Sequence, residues 1–417
     1  MKVLEIDGNK SLSGTIRIGG AKNSAVALIP AAILTNNKTT LTNVPDITDI
    51  NVLVDILEYL NVEVKHASGS IVINPKKMEN KPIPDELSSK LRASYYFMAS
   101  LLAKYKHVEM SFPGGCKIGS RPIDQTLKVF KSLGASIKEE DCIFTIDAER
   151  LIGSEISLDM PSVGATVNAI IVSSLAEGET IIHNAAKEPE IVDLANMLNK
   201  MGAKIKGAGT STIKIVGVNE LDGAFHDIIP DRIEAGTYII LGALVGNYLH
   251  IENINPNHLK ALLDKMVDMG CDITINQDSV IVNKYDNIVG TNIKTEGYPG
   301  FPTDLQQPFV TLLIGAKGKS EVMENIYENR FMNIPYLNKM GANISIKERT
   351  LTILGANKLH GEEVEATDLR AGASLLLAAL KADGHTTIKN VEYILRGYEE
   401  LIEKLTNVGA KIELKEI

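Results

Sequence analysis

The feature that most constrains the fold is an amphipathic helix pattern that recurs six times along the 417 residues. One copy reads EIVDLANMLNKMGAKIK from residue 190, and another reads GYEELIEKLTNVGAKIEL from residue 397. Each copy ends in a residue suited to a left-handed helix cap, and a strand-like alternation of apolar residues follows. The cap positions, spaced 68 to 73 residues apart, are Asn61, Gly134, Gly202, Gly270, Gly341 and Gly409. This spacing predicts a repeat architecture.

A second helix, apolar nearly all round, precedes each amphipathic one. Examples are VGATVNAIIVSSLA from residue 163 and LRAGASLLLAALKA from residue 369. A helix without a polar face belongs in an interior. We therefore predict an α/β fold of six βαβαββ-type units, grouped as two domains of three, with the apolar helices inside and the sheets outside. A Rossmann fold is excluded because no Gly-x-Gly-x-x-Gly follows a strand.

Charge and cysteine content narrow the class of protein. The formal net charge of −9 argues against a nucleic-acid partner, and the longest apolar runs are much shorter than a membrane span. The three widely spaced cysteines form neither a disulfide framework nor a metal-ligand pattern. We expect a cytoplasmic protein with no cofactor, no metal, no nucleic-acid partner and no membrane partner.

A glycine-rich loop with one cysteine is the most reactive-looking stretch. It reads FPGGCKIGSRPID over residues 112–124 and precedes a helical pattern. Lys117 and Arg121 place positive charge near Cys116, which would lower the thiol pKa and attract an anion. The plain alternative is a surface turn with an incidental cysteine. The other two cysteines have less useful settings: Cys142 follows three acidic residues, and Cys271 occupies a position that is alanine in four other repeats.

Cations stand where the helix dipole favours anions. Lys22, Arg92, Arg232 and Arg370 lie at the start of four of the six apolar helices. Arg121, Arg330 and Arg396 precede amphipathic helices. If the repeats pack with their apolar helices parallel, these cations converge into an anion site suited to phosphate and carboxylate. Scattered surface salt bridges are the alternative.

Two acidic residues stand at the entrances of apolar helices, Asp304 in the fifth repeat and Asp368 in the sixth. Either helix capping or general-base chemistry would use a carboxylate there. Geometry decides between the two roles.

Long motifs resemble the UDP-N-acetylglucosamine 1-carboxyvinyltransferase family of enolpyruvyl transferases. They are the Cys116 loop, Gly19–Ser24, Leu91–Ser94, Pro161–Thr166, Pro230–Thr237, Phe301–Asp304, Glu328–Phe331, Asp368–Ala371 and Arg396–Tyr398. The resemblance covers the whole chain. It implies an inside-out α/β barrel in each domain, with residues 21–229 as one domain and residues 1–20 plus 230–417 as the other. The active site would lie in the cleft between them.

The resemblance also implies a reaction and its residues. Cys116, Asp304, Lys22 and Arg396 would be catalytic, with Cys116 as the acid toward phosphoenolpyruvate and Asp304 as the base for the sugar 3-hydroxyl. The phosphoenolpyruvate contacts would be Lys22, Asn23, Cys116, Arg121, Arg330, Arg370 and Arg396. The UDP-N-acetylglucosamine contacts would be Asn23, Arg92, Arg121, Pro122, Ile123, Asp124, Gln125, Ser162, Val163, Gly164, Asp304 and Ile326.

Three alternatives stay open at this point. A 5-enolpyruvylshikimate-3-phosphate synthase shares the repeat and the reaction type, but lacks the Gly-Gly-Cys-Lys loop. A non-catalytic UDP-sugar sensor would have no reason to keep Cys116, Asp304, Arg396 and Lys22 together. A thiol redox enzyme would need a resolving cysteine near Cys116.

Overall fold

The computed structural model describes residues 2–67, 69–114 and 123–416, and these form two compact units. The first unit holds residues 2–19 and 230–416, and the second holds residues 20–114 and 123–229. Among the described residues, no helix has the length and apolar character needed to cross a bilayer.

Apolar and amphipathic helices both recur along the chain, with short helical turns between some of them. In chain order the described helices are α1 (Lys22–Ala31), α2 (Thr48–Tyr59), α3 (Asp85–Ser88), α4 (Tyr96–Tyr105), α5 (Asp124–Ser132), α6 (Val163–Ser173), α7 (Pro189–Lys200), α8 (Arg232–Val245), α9 (Lys260–Asp268), α10 (Thr303–Gly315), α11 (Ile334–Lys339), α12 (Leu369–Lys381), α13 (Glu392–Leu395) and α14 (Leu401–Asn407). Short 3₁₀ turns supplement them at Ala32–Leu34, Pro75–Lys77, Arg92–Tyr95 and Pro256–Leu259.

The strands are short and regularly spaced. In chain order they are β1 (Lys2–Asp7), β2 (Leu12–Arg17), β3 (Thr39–Thr42), β4 (Glu63–Ala67), β5 (Ser70–Asn74), β6 (His107–Ser111), β7 (Ser136–Glu140), β8 (Ile143–Asp147), β9 (Glu155–Ser157), β10 (Glu179–His183), β11 (Lys204–Lys206), β12 (Thr212–Val216), β13 (Phe225–Asp227), β14 (Gly246–Glu252), β15 (Asp272–Ile275), β16 (Ser279–Asn283), β17 (Ile293–Lys294), β18 (Lys319–Met323), β19 (Ile344–Lys347), β20 (Thr350–Leu354), β21 (Glu363–Glu365), β22 (His385–Lys389) and β23 (Lys411–Glu416).

The described strands form six small sheets, one for each repeat. In the first five repeats the strand after the apolar helix pairs antiparallel with one strand of a hairpin, as β18 does with β20 of the β19–β20 hairpin. In every described sheet except β6-β8-β7, that strand also has a parallel edge strand on its other side, as β18 has β17. The sheet orders are β13-β3-β5-β4, β6-β8-β7, β11-β12-β10-β9, β15-β16-β14-β2, β17-β18-β20-β19 and β21-β22-β1-β23.

Three sheets are completed by strands from distant parts of the sequence. Strand β2 precedes α1 in the chain, but it pairs in parallel with β14. Strand β13 precedes α8, but it pairs in parallel with β3. In the sixth repeat β1 lies between β22 and β23 and pairs antiparallel with both. The chain therefore passes from one unit to the other near residue 20 and again near residue 230.

The apolar helices are the core of each unit, as their sequences predict. Every residue of α8 is buried, and α8, α10 and α12 pack against one another. In the second unit α4 packs against both α1 and α6. Each unit has its own hydrophobic cluster, so each buries its apolar helices independently. The predicted α/β class, with repeated units around buried helices, is confirmed.

The six predicted helix caps also adopt the expected backbone. The cap residues all have positive φ, from 60° at Asn61 to 104° at Gly341. A left-handed residue ends the helix and turns the chain toward the next strand. One helix start differs from the sequence expectation, since Arg92 lies in a 3₁₀ turn and α4 begins at Tyr96.

Candidate active site

Asp304 lies between two buried arginines in the first unit. Asp304 is the second residue of α10, and a quarter of its side chain is exposed. Arg330 Nη2 donates to Oδ1 at 2.6 Å, and Arg370 Nη2 donates to Oδ2 at 3.0 Å. The arginine side chains are only 4% and 6% exposed. The structure thus joins three of the predicted site residues in one charged cluster.

The cluster keeps Asp304 ionised. Burial by itself would raise the pKa of the carboxyl, but the positive charges and hydrogen bonds of Arg370 and Arg330 outweigh it and hold that pKa well below its usual range. Burial would lower the pKa of the Arg370 guanidinium, and the Asp304 charge instead raises it. The described site therefore presents a permanent carboxylate beside permanent cations.

Aromatic and hydroxyl groups orient both arginines. The Arg330 guanidinium lies 5.1 Å from the centre of the Tyr327 ring. Arg370 Nη1 lies 3.4 Å from the Tyr398 hydroxyl, which is 2.9 Å from Thr237 Oγ1. Thr237 Oγ1 in turn donates to the Ile233 carbonyl inside α8. These contacts fix the guanidinium planes, so the direction in which each donates is set by the fold.

Asp304 does not cap its helix. The N-cap of α10 is Pro302, which has no capping side chain. The hydroxyl of Thr303, the first helical residue, instead donates to Glu324 Oε2 at 2.9 Å. The carboxylate of Asp304 is consequently available to the arginines and to a ligand.

Asp368 has the opposite role at the start of α12. Its Oδ1 accepts from the backbone N–H groups of Arg370 at 2.9 Å and Ala371 at 3.1 Å. Asp231 caps α8 in the same way through Ile233 and Glu234. The ambiguity that the sequence left for Asp368 is resolved as helix capping.

The remaining predicted residues of the first unit lie on loops. Arg396 directly follows α13 and is partly buried. Ile326 has 39% of its surface exposed, and its backbone N–H donates to Glu324 Oε1 at 2.8 Å. The structure gives both residues a defined backbone, and their predicted contacts with substrate stay predictions.

In the second unit the predicted cation Lys22 pairs with Asp49. Lys22 is the first residue of α1, and its Nζ lies 2.7 Å from Asp49 Oδ2. The Asp49 side chain is 2% exposed, so the pair is largely desolvated. Asn23 follows Lys22 in the first turn of α1 and is partly buried. Sequence reasoning missed Asp49, although its place at the start of the first amphipathic helix is where Asp or Glu favours the helix dipole.

The predicted nucleotide-sugar segment Ser162–Gly164 lies at the start of α6. Ser162 is the N-cap, and its Oγ accepts from the Ala165 N–H at 3.3 Å. Val163 is 37% exposed. A Cβ at Gly164 would lie 1.6 Å from the Tyr95 hydroxyl, so a side chain there would require Tyr95 to move. The segment therefore exposes backbone groups at a helix N-terminus, which suits an anionic ligand.

The other predicted site residues that the structure describes in the second unit are Arg92 and those at the start of α5. Arg92 Nη1 donates to the Pro113 carbonyl at 3.2 Å and stacks over the Phe112 ring at 5.5 Å. Ile123 is buried, and its predicted contact with the nucleotide sugar stays a prediction. Gln125 Nε2 donates to Asp159 at 2.8 Å and to Asp124 at 3.0 Å.

Three predicted site residues, Cys116, Arg121 and Pro122, lie outside the described residues, as does Lys117. The described cysteines differ in setting. Cys142 is exposed in the turn between β7 and β8, rather than within a strand. Burial raises the pKa of the Cys271 thiol to about 12. The setting of Cys271 therefore disfavours a reactive thiolate.

Comparison with known proteins supports the fold and identifies the family. The family model described as EPSP synthase (3-phosphoshikimate 1-carboxyvinyltransferase) matches residues 6–405. The chain belongs to the EPSP synthase family.

Relatives within the family have a more specific name. UDP-N-acetylglucosamine 1-carboxyvinyltransferase 2 of Bacillus subtilis strain 168 is 50% identical over 413 residues, which are 99% of this chain and 96% of that protein. The enzyme of the same name from Listeria monocytogenes serovar 1/2a is 49% identical over 98% of this chain and 97% of its own length. The predicted resemblance to this group of enzymes is confirmed.

Solved structures agree on the fold. The enolpyruvyl transferase NikO from Streptomyces tendae superposes with a TM-score of 0.91 at 26% identity, covering 99% of both chains. EPSP synthase from Acinetobacter baumannii superposes with a TM-score of 0.77 at 19% identity over the full length of both chains. The second comparison supports the fold alone.

Proposed function

We propose that this chain transfers the enolpyruvyl group of phosphoenolpyruvate to the 3-hydroxyl of UDP-N-acetylglucosamine and releases phosphate. This is the first committed step of peptidoglycan synthesis. The observation that carries the proposal is the full-length identity of 46 to 50% with enzymes that bear this name. The cluster of Asp304, Arg330 and Arg370 supports it, because it combines a candidate base with anion-binding groups.

The addition step requires a proton acceptor for the sugar hydroxyl and a proton donor for the alkene. Asp304 takes the hydroxyl proton as the 3-oxygen bonds to C2 of phosphoenolpyruvate, and Cys116 delivers a proton to the methylene carbon. Arg330 and Arg370 compensate for the weak basicity of Asp304 by stabilising negative charge on the attacking oxygen. The product of this step is a tetrahedral adduct that still carries phosphate.

The elimination step takes place at the same carbon, C2 of the former phosphoenolpyruvate. The Cys116 thiolate left by the addition step takes a proton from the new methyl group, and the C–O bond to phosphate breaks. The departing phosphate takes the proton that Asp304 holds, and the enolpyruvyl ether remains. Lys22, Asn23, Arg121 and Arg396 are assigned to the phosphate and carboxylate of phosphoenolpyruvate, with Arg330 and Arg370 beside them. Fixed cations lower the barrier because they bind the departing phosphate without reorganising.

The nucleotide sugar is assigned to groups from both units. Ser162, Val163 and Gly164 offer a helix N-terminus to it, and Ile326 and Asp304 approach the sugar. The other assigned contacts are Asn23, Arg92, Arg121, Pro122, Ile123, Asp124 and Gln125. We place the active site in the cleft between the domains, so that closure excludes water during addition.

The compartment follows from composition and substrates. Three cysteines without a disulfide pattern suit a reducing environment. We place the enzyme in the cytoplasm.

Phosphate release tests the function directly. The chain is assayed with phosphoenolpyruvate plus UDP-N-acetylglucosamine, with each substrate alone, and with shikimate 3-phosphate as the alternative acceptor. We expect release only when the nucleotide sugar is present. Release only with shikimate 3-phosphate would contradict the proposal, and binding of UDP-N-acetylglucosamine without turnover would indicate a sensor.

Cys116 needs its own test because proton donation is assigned to it. Cys116→Ser should bind UDP-N-acetylglucosamine normally and turn over at least about tenfold more slowly, since a proton donor is lost. Cys142→Ser is the matched control, because Cys142 is exposed and lies in a hairpin turn. Equal turnover in wild type and Cys116→Ser would remove the acid role.

A further inference from the structure

Glu324 is a buried carboxylate that the reaction does not use. It follows β18 directly and is 1% exposed. A charge in such a place is costly unless its oxygens are fully hydrogen-bonded. Four donors meet that need: Thr295 Oγ1 at 2.8 Å, Ile326 N at 2.8 Å and Tyr327 N at 3.1 Å on Oε1, and Thr303 Oγ1 at 2.9 Å on Oε2.

The two oxygens of Glu324 hold two different parts of the site. Through Oε1 it fixes the loop that carries Ile326 and Tyr327, and the Tyr327 ring lies against the Arg330 guanidinium. Through Oε2 it holds Thr303, the residue before Asp304. One side chain thus positions both partners of the Arg330–Asp304 ion pair.

We propose that Glu324 is a positioning residue for the reaction. It acts on Asp304 through the Thr303 hydroxyl, and through the Ile326 and Tyr327 amides it acts on the loop that carries Ile326, a residue assigned to the nucleotide sugar. The inference rests on the proposed function, because it assigns Glu324 a task in that chemistry. A carboxylate suits this place better than an amide, since an amide has one accepting oxygen and would turn N–H donors toward Thr303.

The sixth repeat contains a natural control. Thr367 precedes Asp368 as Thr303 precedes Asp304. The Thr367 hydroxyl is buried and has no hydrogen-bond partner among the described residues. Replacing the threonine by valine therefore removes a hydrogen bond beside Asp304, whereas the same change beside Asp368 removes no hydrogen bond among the described residues.

The two oxygens predict two kinetic signatures. Thr303→Val removes only the link to α10, so we expect kcat to fall about tenfold while the KM for UDP-N-acetylglucosamine changes less than about twofold, because small misplacements of a reacting group are costly. Thr303→Ser keeps the hydroxyl, so its kcat should stay at the wild-type level. Glu324→Gln weakens both links, so it should lower kcat and also raise that KM.

The experiment measures phosphate release, KM for UDP-N-acetylglucosamine and thermal midpoint for wild type, Thr303→Val, Thr303→Ser, Glu324→Gln and Thr367→Val. The expected result is a kcat loss in Thr303→Val that Thr303→Ser and Thr367→Val do not share. Wild-type kcat in Thr303→Val, or equal losses in the valine and serine variants, would overturn the inference while leaving the proposed function intact. A wild-type chain that releases no phosphate would overturn the proposed function, and the inference with it.

Discussion

Helices α10 and α12 are entered by the same three residues, Thr-Asp-Leu, and the fold uses them in opposite ways. In α10 the helix begins at Thr303, so Asp304 is its second residue and pairs with Arg330 and Arg370. In α12 the helix begins two residues later, at Leu369, and Asp368 becomes the cap.

The difference arises outside the tripeptide. Pro302 supplies the N-cap backbone of α10, and Glu324 takes up the Thr303 hydroxyl. Neither feature exists before α12, where Ala366 and Thr367 precede the aspartate. The same tripeptide therefore yields a candidate base in one repeat and a structural cap in the next, because the preceding proline and one tertiary hydrogen bond set where the helix starts.

The largest expected effect is on turnover when Asp304 loses its charge. Asp304→Asn keeps the shape and should lower turnover by about 100-fold or more, the scale of a lost general base. Asp368→Asn is the matched control, since asparagine caps helices as well as aspartate does. Steady-state phosphate release compares them, and similar losses in the two variants would erase the functional contrast.

A smaller loss is expected when an arginine keeps its charge but loses its planar fork. Arg370→Lys cannot contact Asp304 and Tyr398 together, so turnover should fall about tenfold. The assay is again phosphate release, with binding of UDP-N-acetylglucosamine measured separately. Turnover at the wild-type level would mean that charge alone matters at this position.

The capping role of Asp368 predicts a change in stability. Asp368→Ala should lower the free energy of unfolding by about 1 kcal/mol, because the N–H groups of Arg370 and Ala371 lose their acceptor. Asp368→Asn should retain most of that free energy of unfolding. Urea unfolding measures both variants, and equal destabilisation by Ala and Asn would argue against a cap.

The smallest effect is a pH dependence of stability that comes from Asp304. The pKa of Asp304 is depressed in the folded protein, so its ion pairs contribute stability above its unfolded pKa of about 3.9 and lose it as pH falls through the folded pKa. The difference in unfolding free energy between wild type and Asp304→Asn should be constant from pH 5 to 8 and shrink below pH 4. A difference that varies between pH 5 and 8 would mean that Asp304 titrates near neutrality.

The repeat made much of the fold predictable from sequence. The helix period, the glycine caps and the apolar helices are local properties, and the structure confirms them at each of the six caps. The exchange of β2 and β13 between sheets could not be read from the residues, because strand pairing is decided by tertiary packing.

The site was predictable by residue type more than by geometry. Arg330, Arg370 and Asp304 were expected near one another, and they are joined by hydrogen bonds. Asp49 and Glu324 were missed, since a buried acid beside a cation or a loop has no periodic signal. The assignment of Cys116, Arg121 and Pro122 still rests on the resemblance alone.

The most direct test of the account is a crystal structure of the chain with UDP-N-acetylglucosamine bound. The account predicts the sugar 3-hydroxyl within about 3.2 Å of an Asp304 carboxylate oxygen, the reach required of a general base. It also predicts that Asp368 keeps its capping bonds to the first turn of α12. A 3-hydroxyl that contacts another group, with Asp304 bonded only to Arg330 and Arg370, would contradict the account.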